Sequence, residues 1–313
     1  MRYRPLGDTG LQVSEISLGT AEIGLDYGFK GNTHYGKPDV NESIRLLHRA
    51  IDQGINLIDT ARLYGNSEEV IGQAINGMRS RPYISSKVLL SKDAAQKAFP
   101  ALREEILGSI EASLRALQLE ALDLLLIHNT ELHFLRRHEI RACLEEARQQ
   151  GKVRFIGASC YGVEVPAEVL EHPTFRVLQV PFNLLDQKMN DYTFPAARTR
   201  NVGIVVRSAY LRGVLTSQVD SIPERLAPLK SRALKALDLL DGEVGSLAEA
   251  ALRFCLSLPV SSVLIGVKSI AELETNLADA AQGALPEEVI PQLQPLSFGH
   301  DPIVDTRTWQ DLM

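Results

Sequence analysis

Four side chains in this sequence could together deliver a proton to a carbonyl oxygen: Asp59 and Tyr64 in "NLIDTARLYG", Lys87 in "YISSKV" and His128 in "LDLLLIHNT". Asp59, Lys87 and His128 each close a short apolar run, and Tyr64 follows Asp59 by five residues. A lysine held close to a tyrosine hydroxyl favours the phenolate electrostatically, and a carboxylate beside the lysine keeps it charged. Tyr64 could then donate its proton to an oxygen that is becoming an alkoxide, while His128 hydrogen-bonds and orients that oxygen. Each residue also has a plain structural reading. Asp59 could cap a helix, Lys87 could end a strand in solvent, His128 could be a satisfied structural histidine, and Tyr64 could simply pack. Their joint placement at successive strand ends favours the chemical reading.

That placement requires elements that bring the strand ends together. Eight short apolar runs each precede a segment with helical spacing. "ISLGT" precedes 41–53, "NLIDT" precedes 67–78, "YISSK" precedes 100–117 and "LDLLLIH" precedes 136–149. "KVRFIG" precedes 165–171, "RVLQV" precedes 190–200, "GIVVRS" precedes 246–257 and "SSVLIG" precedes 270–281. Alternating strands and helices imply right-handed crossovers and a parallel sheet, and eight such units predict a closed (β/α)8 TIM barrel in one domain over residues 1–313. A doubly wound open sheet is the alternative, but neither G-x-G-x-x-G nor G-x-x-x-x-G-K-S/T is present to support it. Asp8-Thr9-Gly10 predicts an N-terminal hairpin that plugs the barrel floor. Residues 21–40, 209–245 and the tail from Ala284 exceed ordinary barrel loops, and the first two are expected to wall a pocket at the C-terminal face.

Composition narrows the partners. The 313 residues are 45% hydrophobic and 23% charged, with a net charge of −6, and no basic block suggests a nucleic-acid groove. The N-terminus lacks an apolar signal core, and "ALDLLLI" is far shorter than the roughly 20 residues a membrane span needs, so a cytoplasmic protein is expected. Cys143, Cys160 and Cys255 form no CxxC, which predicts reduced thiols with neither a disulfide framework nor a zinc or other metal site.

The stretch "DTARLYGNSEEVIG" resembles the D-T-A-x-x-Y-G-x-S-E-x-x-x-G signature of the aldo-keto reductase family, and the likeness extends over nearly the whole chain. The resemblance implies an NAD(P)H-dependent barrel enzyme without a Rossmann fold, with catalytic roles for Asp59, Tyr64, Lys87 and His128. It further implies that Ser159 in "VRFIGAS" and Gln179 in "LQVPFNLLD" contact the nicotinamide carboxamide. Ser208, Leu211 and Gly213 in "RSAYLRGVL" would wrap the pyrophosphate, and Gly266, Lys268, Glu272 and Asn276 in "VLIGVKSIAELETN" would bind adenosine. Gly19, Thr20, Asp59 and Arg207 complete the implied cofactor contacts.

Three positions depart from the family pattern. Cys160 stands where asparagine commonly follows Ser159, Arg207 where many members stack an aromatic ring on the nicotinamide, and Glu272 where many place an arginine for the 2′-phosphate. NADP(H) is expected narrowly ahead of NAD(H), through Lys268. The expected reaction interconverts an alcohol and a small aldehyde, ketone or sugar-type carbonyl. The alternatives are a cofactor-binding regulatory subunit without significant turnover, or a barrel lyase using Lys87 as a Schiff base.

Overall fold

The computed structural model describes residues 1–30 and 35–312. Eight parallel strands close into a barrel: β3 (Ile16–Gly19), β4 (Leu57–Asp59), β5 (Tyr83–Val88), β6 (Leu122–Ile127), β7 (Val153–Ser159), β8 (Phe175–Pro181), β9 (Gly203–Arg207) and β10 (Ser262–Gly266), with β10 pairing back onto β3. Each predicted strand is present. The following helices are present too, with ends within a few residues of those expected, as at Val40–Asp52, Ser67–Ile75, His138–Gln149 and Ile270–Ala281.

The apolar runs read as continuous because a barrel strand is buried on both faces. Along β6, Leu124 and Leu126 join an inner cluster with Leu57, Val177, Val205 and Leu264, whereas Leu125 and Ile127 pack outward against the helices. Successive side chains point to opposite faces, so the inward series that begins with these apolar residues continues upward. At the C-terminal ends it reaches Gly19, Asp59, Lys87, His128, Ser159, Gln179, Arg207 and Gly266.

The predicted hairpin pairs β1 (Tyr3–Pro5) with β2 (Gln12–Ser14). It places Leu6, Leu11 and Val13 in the inner cluster, closing the barrel floor with apolar side chains. Asp8 N donates to Asn201 O (2.8 Å) just before β9, and Arg4 donates to the carbonyls of Leu256, Leu258 and Val260 just before β10. The candidate catalytic side chains Asp59, Lys87 and His128 lie at the opposite, C-terminal end.

Of the three long stretches, 209–245 contains the helix Ala227–Leu239, and the tail from Ala284 folds into short helical turns ending at Leu312. Within 21–40, a single turn at Ala21–Gly24 is described, while residues 31–34 lie outside the described residues. No described helix is long and apolar enough to cross a membrane. The three cysteines are free and buried, and among the described residues no group of His, Cys, Asp or Glu could hold a metal ion.

Candidate active site

The end of β4 sets the first residue in place. Asp59 is buried, and its Oδ1 accepts from Ser85 Oγ (3.0 Å) and from Gln179 Nε2 (2.8 Å), while its Oδ2 pairs with Lys87 Nζ. Lys87 also donates to Thr60 O (2.9 Å). Burial alone would push the Lys87 ammonium towards neutrality, but Asp59 and Tyr64, by charge and hydrogen bonding, more than offset it and hold the lysine charged.

Tyr64 is carried by a tight turn before the helix Ser67–Ile75. Gly65 has φ +54°, and a Cβ on it would strike Gly24 O, while a Cβ on Gly24 would strike Tyr64 O. Only glycine allows the two backbones to meet here, and that contact fixes the depth of Tyr64. The hydroxyls of Thr60, Thr20 and Ser67 chain together beneath the turn: Thr60 Oγ1 and Ser67 Oγ are 2.5 Å apart, and Thr20 Oγ1 donates to Asp59 O (2.9 Å) and lies 3.3 Å from Ser67 Oγ. Buried Glu68 accepts from Ser86 Oγ and from Arg62 Nη1 (both 2.6 Å). The serine and glutamate of the signature thus brace the site.

The Tyr64 hydroxyl lies 3.5 Å from His128 Nε2, with the rings edge to face at 88°, and Lys87 Nζ lies 4.9 Å from the centre of the tyrosine ring. Burial first, then the charges of Lys87 and Arg207, push the His128 pKa down to about 3, so the imidazole is neutral. Its Nδ1 is buried without a hydrogen-bond partner among the described residues. A neutral histidine and a phenol converge on one point, and an oxygen atom bridging them could receive a hydrogen bond from each.

The structure brings together all four predicted catalytic residues. It also adds Ser85, two residues before Lys87 on the same strand face, a spacing that could have revealed it. Gln179 proves to be committed on one side. A carboxylate only accepts hydrogen bonds, so the Gln179 amide nitrogen must face Asp59, which leaves its oxygen for a ligand amide. Ser159 pairs in register with Gln179 at the neighbouring strand end. Cys160 is fully buried, and burial pushes its thiol up to about 12, so it is an inert packing residue.

Arg207 stacks 4.0 Å over the Tyr161 ring and donates to Cys160 O (3.2 Å) and Ser208 Oγ (3.4 Å). Arg207 pairs with neither Asp59 nor Glu272. Asp59 is taken by Lys87, and Glu272 accepts from Lys268 N (2.7 Å). Arg307 lies 4.1 Å from the same tyrosine ring, and two guanidinium planes this close to one ring centre must occupy opposite faces. Tyr161 carried no sequence signal for this role.

A dinucleotide would find room beside this cluster. Ser208, Leu211 and Arg212 are three of the five described non-glycine residues with positive φ, and Gly213 extends the series. Such costly backbone persists where surrounding structure over-determines it, most often at ligand sites. Lys268 Nζ donates to Tyr27 O (2.8 Å), and Asn276 is buried on the helix that Ser269 caps. A cavity of about 510 Å³ beyond them is lined by Lys37, Glu42, Arg45, Lys268 and Glu272 among others.

With fold and site in view, comparison with known proteins is decisive: residues 15–297 match the model of the Aldo/keto reductase family, and the chain belongs to that family. Its members are oxidoreductases that act on carbonyl and alcohol groups with nicotinamide cofactors, and so is this chain. Among relatives, the aldo-keto reductase YhdN of Bacillus subtilis (strain 168) is 32% identical over 70% of this chain and 65% of its own length. The NADH-specific methylglyoxal reductase of Escherichia coli (strain K12) is 28% identical over 77% of this chain and 79% of its own. Among solved structures, the holo form of the aldo-keto reductase AKR11C1 from Bacillus halodurans superposes with a TM-score of 0.78 at 25% identity, covering 95% of this chain and 96% of that one.

Proposed function

We propose that this chain reduces a small aldehyde, ketone or sugar-type carbonyl, with Tyr64 as the proton donor. The observation that carries the reading is the meeting of Tyr64 Oη and His128 Nε2 at 3.5 Å, directly above the buried Lys87–Asp59 pair. A nicotinamide cofactor, when bound, would supply the hydride. The substrate oxygen, placed between Tyr64 and His128, is oriented by both, and Tyr64 passes its proton as negative charge develops there. Lys87, held charged, favours the phenolate left behind. On this reading Ser159 Oγ and Gln179 Oε1 would fix a carboxamide, and the segment 208–213, with Ser208, Leu211, Arg212 and Gly213 in the left-handed region, would hold a diphosphate.

The Schiff-base alternative is disfavoured by the geometry, because a lysine nucleophile must be neutral and Lys87 is kept charged by a buried carboxylate. Tyr64→Phe should lower kcat by about 10²- to 10⁴-fold while leaving cofactor affinity nearly unchanged. A mutant retaining more than a tenth of wild-type kcat on a carbonyl panel would remove Tyr64 from this role.

For the nucleotide, the cavity lined by Lys37, Arg45 and Lys268 also holds the carboxylates of Glu42 and Glu272. Both carboxylates accept from backbone N–H groups at helix starts, where a 2′-phosphate would compete with them. A preference under about tenfold, with NADP(H) narrowly ahead, follows from this near balance. Fluorescence titration with NADPH and NADH measures it, and discrimination above a hundredfold either way would refute this account of the pocket.

A further inference from the structure

Gly19 and Gly266 are register partners at the C-terminal ends of adjacent strands, so the barrel rim there is a shelf without side chains. Glu22, on the turn that follows Thr20, folds its half-buried carboxylate onto that shelf: a Cβ on Gly266 would collide with Glu22 Oε1. The groups around the carboxylate come from several elements. Lys268 and Glu272 approach from the end of β10 and the helix beyond it, Arg212 and Tyr210 from the segment after β9, and Tyr27 from Glu22's own loop. Lys37 Nζ donates to Gly24 O of the same turn (3.1 Å). Among the described residues no donor hydrogen-bonds the Glu22 carboxylate.

Two cations, a bare backbone shelf and the left-handed residues Ser208, Leu211, Arg212 and Gly213 beside it are the makings of an anion site, and the anion now in it belongs to the protein. We propose that Glu22 occupies the place that the cofactor's diphosphate must take, so that the nucleotide binds only when Glu22 is neutral or displaced. This rests on the cofactor reading above. Support comes from the proton affinity of the group: burial first, then Glu272, outweigh the lowering by Lys268 and Arg212, and the carboxyl is pushed up to about 7. Glu22 is therefore neutral below that pH and competes with the diphosphate above it. If binding requires the neutral form, the competent fraction falls about tenfold between pH 6 and pH 8, and the apparent Kd rises by the same factor.

NADH is the probe, because its diphosphate does not titrate in this range, whereas a 2′-phosphate titrates near pH ~6. Nicotinamide fluorescence should show the Kd of the full-length protein rising about tenfold from pH 6 to pH 8. In Glu22→Gln the Kd should vary by less than about twofold, and at pH 8 it should be at least about fivefold tighter than wild type. Glu22→Ala should lose the pH dependence equally, which guards against a folding defect peculiar to one variant. A pH-independent wild type, a Gln variant with the wild-type slope, or weaker binding by the Gln variant at every pH would each overturn the proposal. If the wild type binds neither NADH nor NADPH at any pH, the cofactor reading falls as well. Binding without pH dependence removes only the role of Glu22.

Discussion

Arg207, stacked on Tyr161 at the end of β9, is the residue whose charge a nicotinamide ring would feel most directly if it bound beside the Tyr64–His128 pair. The hydride donor must lie within a few ångströms of the Tyr64–His128 pair, and the path from there to the 208–213 segment runs past Arg207, whose guanidinium is covered by Tyr161 on one face. A neutral reduced nicotinamide can stack on the other face without charge repulsion, whereas the cationic oxidised ring cannot. Reduced cofactor should therefore bind more tightly than oxidised, so that the free enzyme loads the form that carbonyl reduction consumes. Arg207→Tyr should keep reduced-cofactor binding within a few-fold and narrow the gap to the oxidised form, both read by titration. A lower melting temperature with an unchanged ratio of dissociation constants would make the residue purely structural.

At the scale of elements, the precision of the site comes from backbone contacts as much as from catalytic side chains. The turn bearing Tyr64 meets the Ala21–Gly24 turn through Gly65 and Gly24, with no room for a methyl group at either. Gly65→Ala should cost about 1–3 kcal/mol, from the left-handed conformation and the collision together. It should also lower kcat, because the tyrosine hydroxyl would shift away from His128 Nε2. Urea denaturation and steady-state kinetics on the same variant test both effects. Wild-type stability would show that the two turns can part, and a shifted Tyr64 would then need another cause.

For the molecule as a whole, the buried site makes stability depend on pH. His128 stays neutral down to about pH 3 in the folded protein, whereas in the unfolded chain an ordinary histidine takes up a proton near pH ~6.5. Between those values the unfolded state binds more protons, so acidification through this window costs stability that is fully present above it. His128→Gln should flatten the fall in melting temperature between pH 6.5 and pH 4. An equally steep fall in the variant would assign the acid sensitivity to other groups. The same barrel closure gathers the C-terminal ends of the eight strands into one mouth, while the hairpin closes the opposite end with Leu6, Leu11 and Val13.

The eight apolar runs, their spacing and the signature from Asp59 to Gly72 were enough to place the barrel and to bring Asp59, Tyr64, Lys87 and His128 to one end of it, because strand periodicity is a local property of the chain. The inward face of each strand follows from the same two-residue alternation, which aligns Leu57 with Asp59 and Leu124 and Leu126 with His128. What the sequence could not decide are contacts between side chains distant along the chain. Gln179 donates to Asp59 across 120 positions, Tyr161 lies between Arg207 and Arg307, and the Glu22 carboxylate rests on Gly266. Each depends on rotamers and loop paths fixed only when the barrel closes, and no periodicity encodes them. The low proton affinity of His128 and the high one of Glu22 are likewise products of burial, which exists only in the folded molecule.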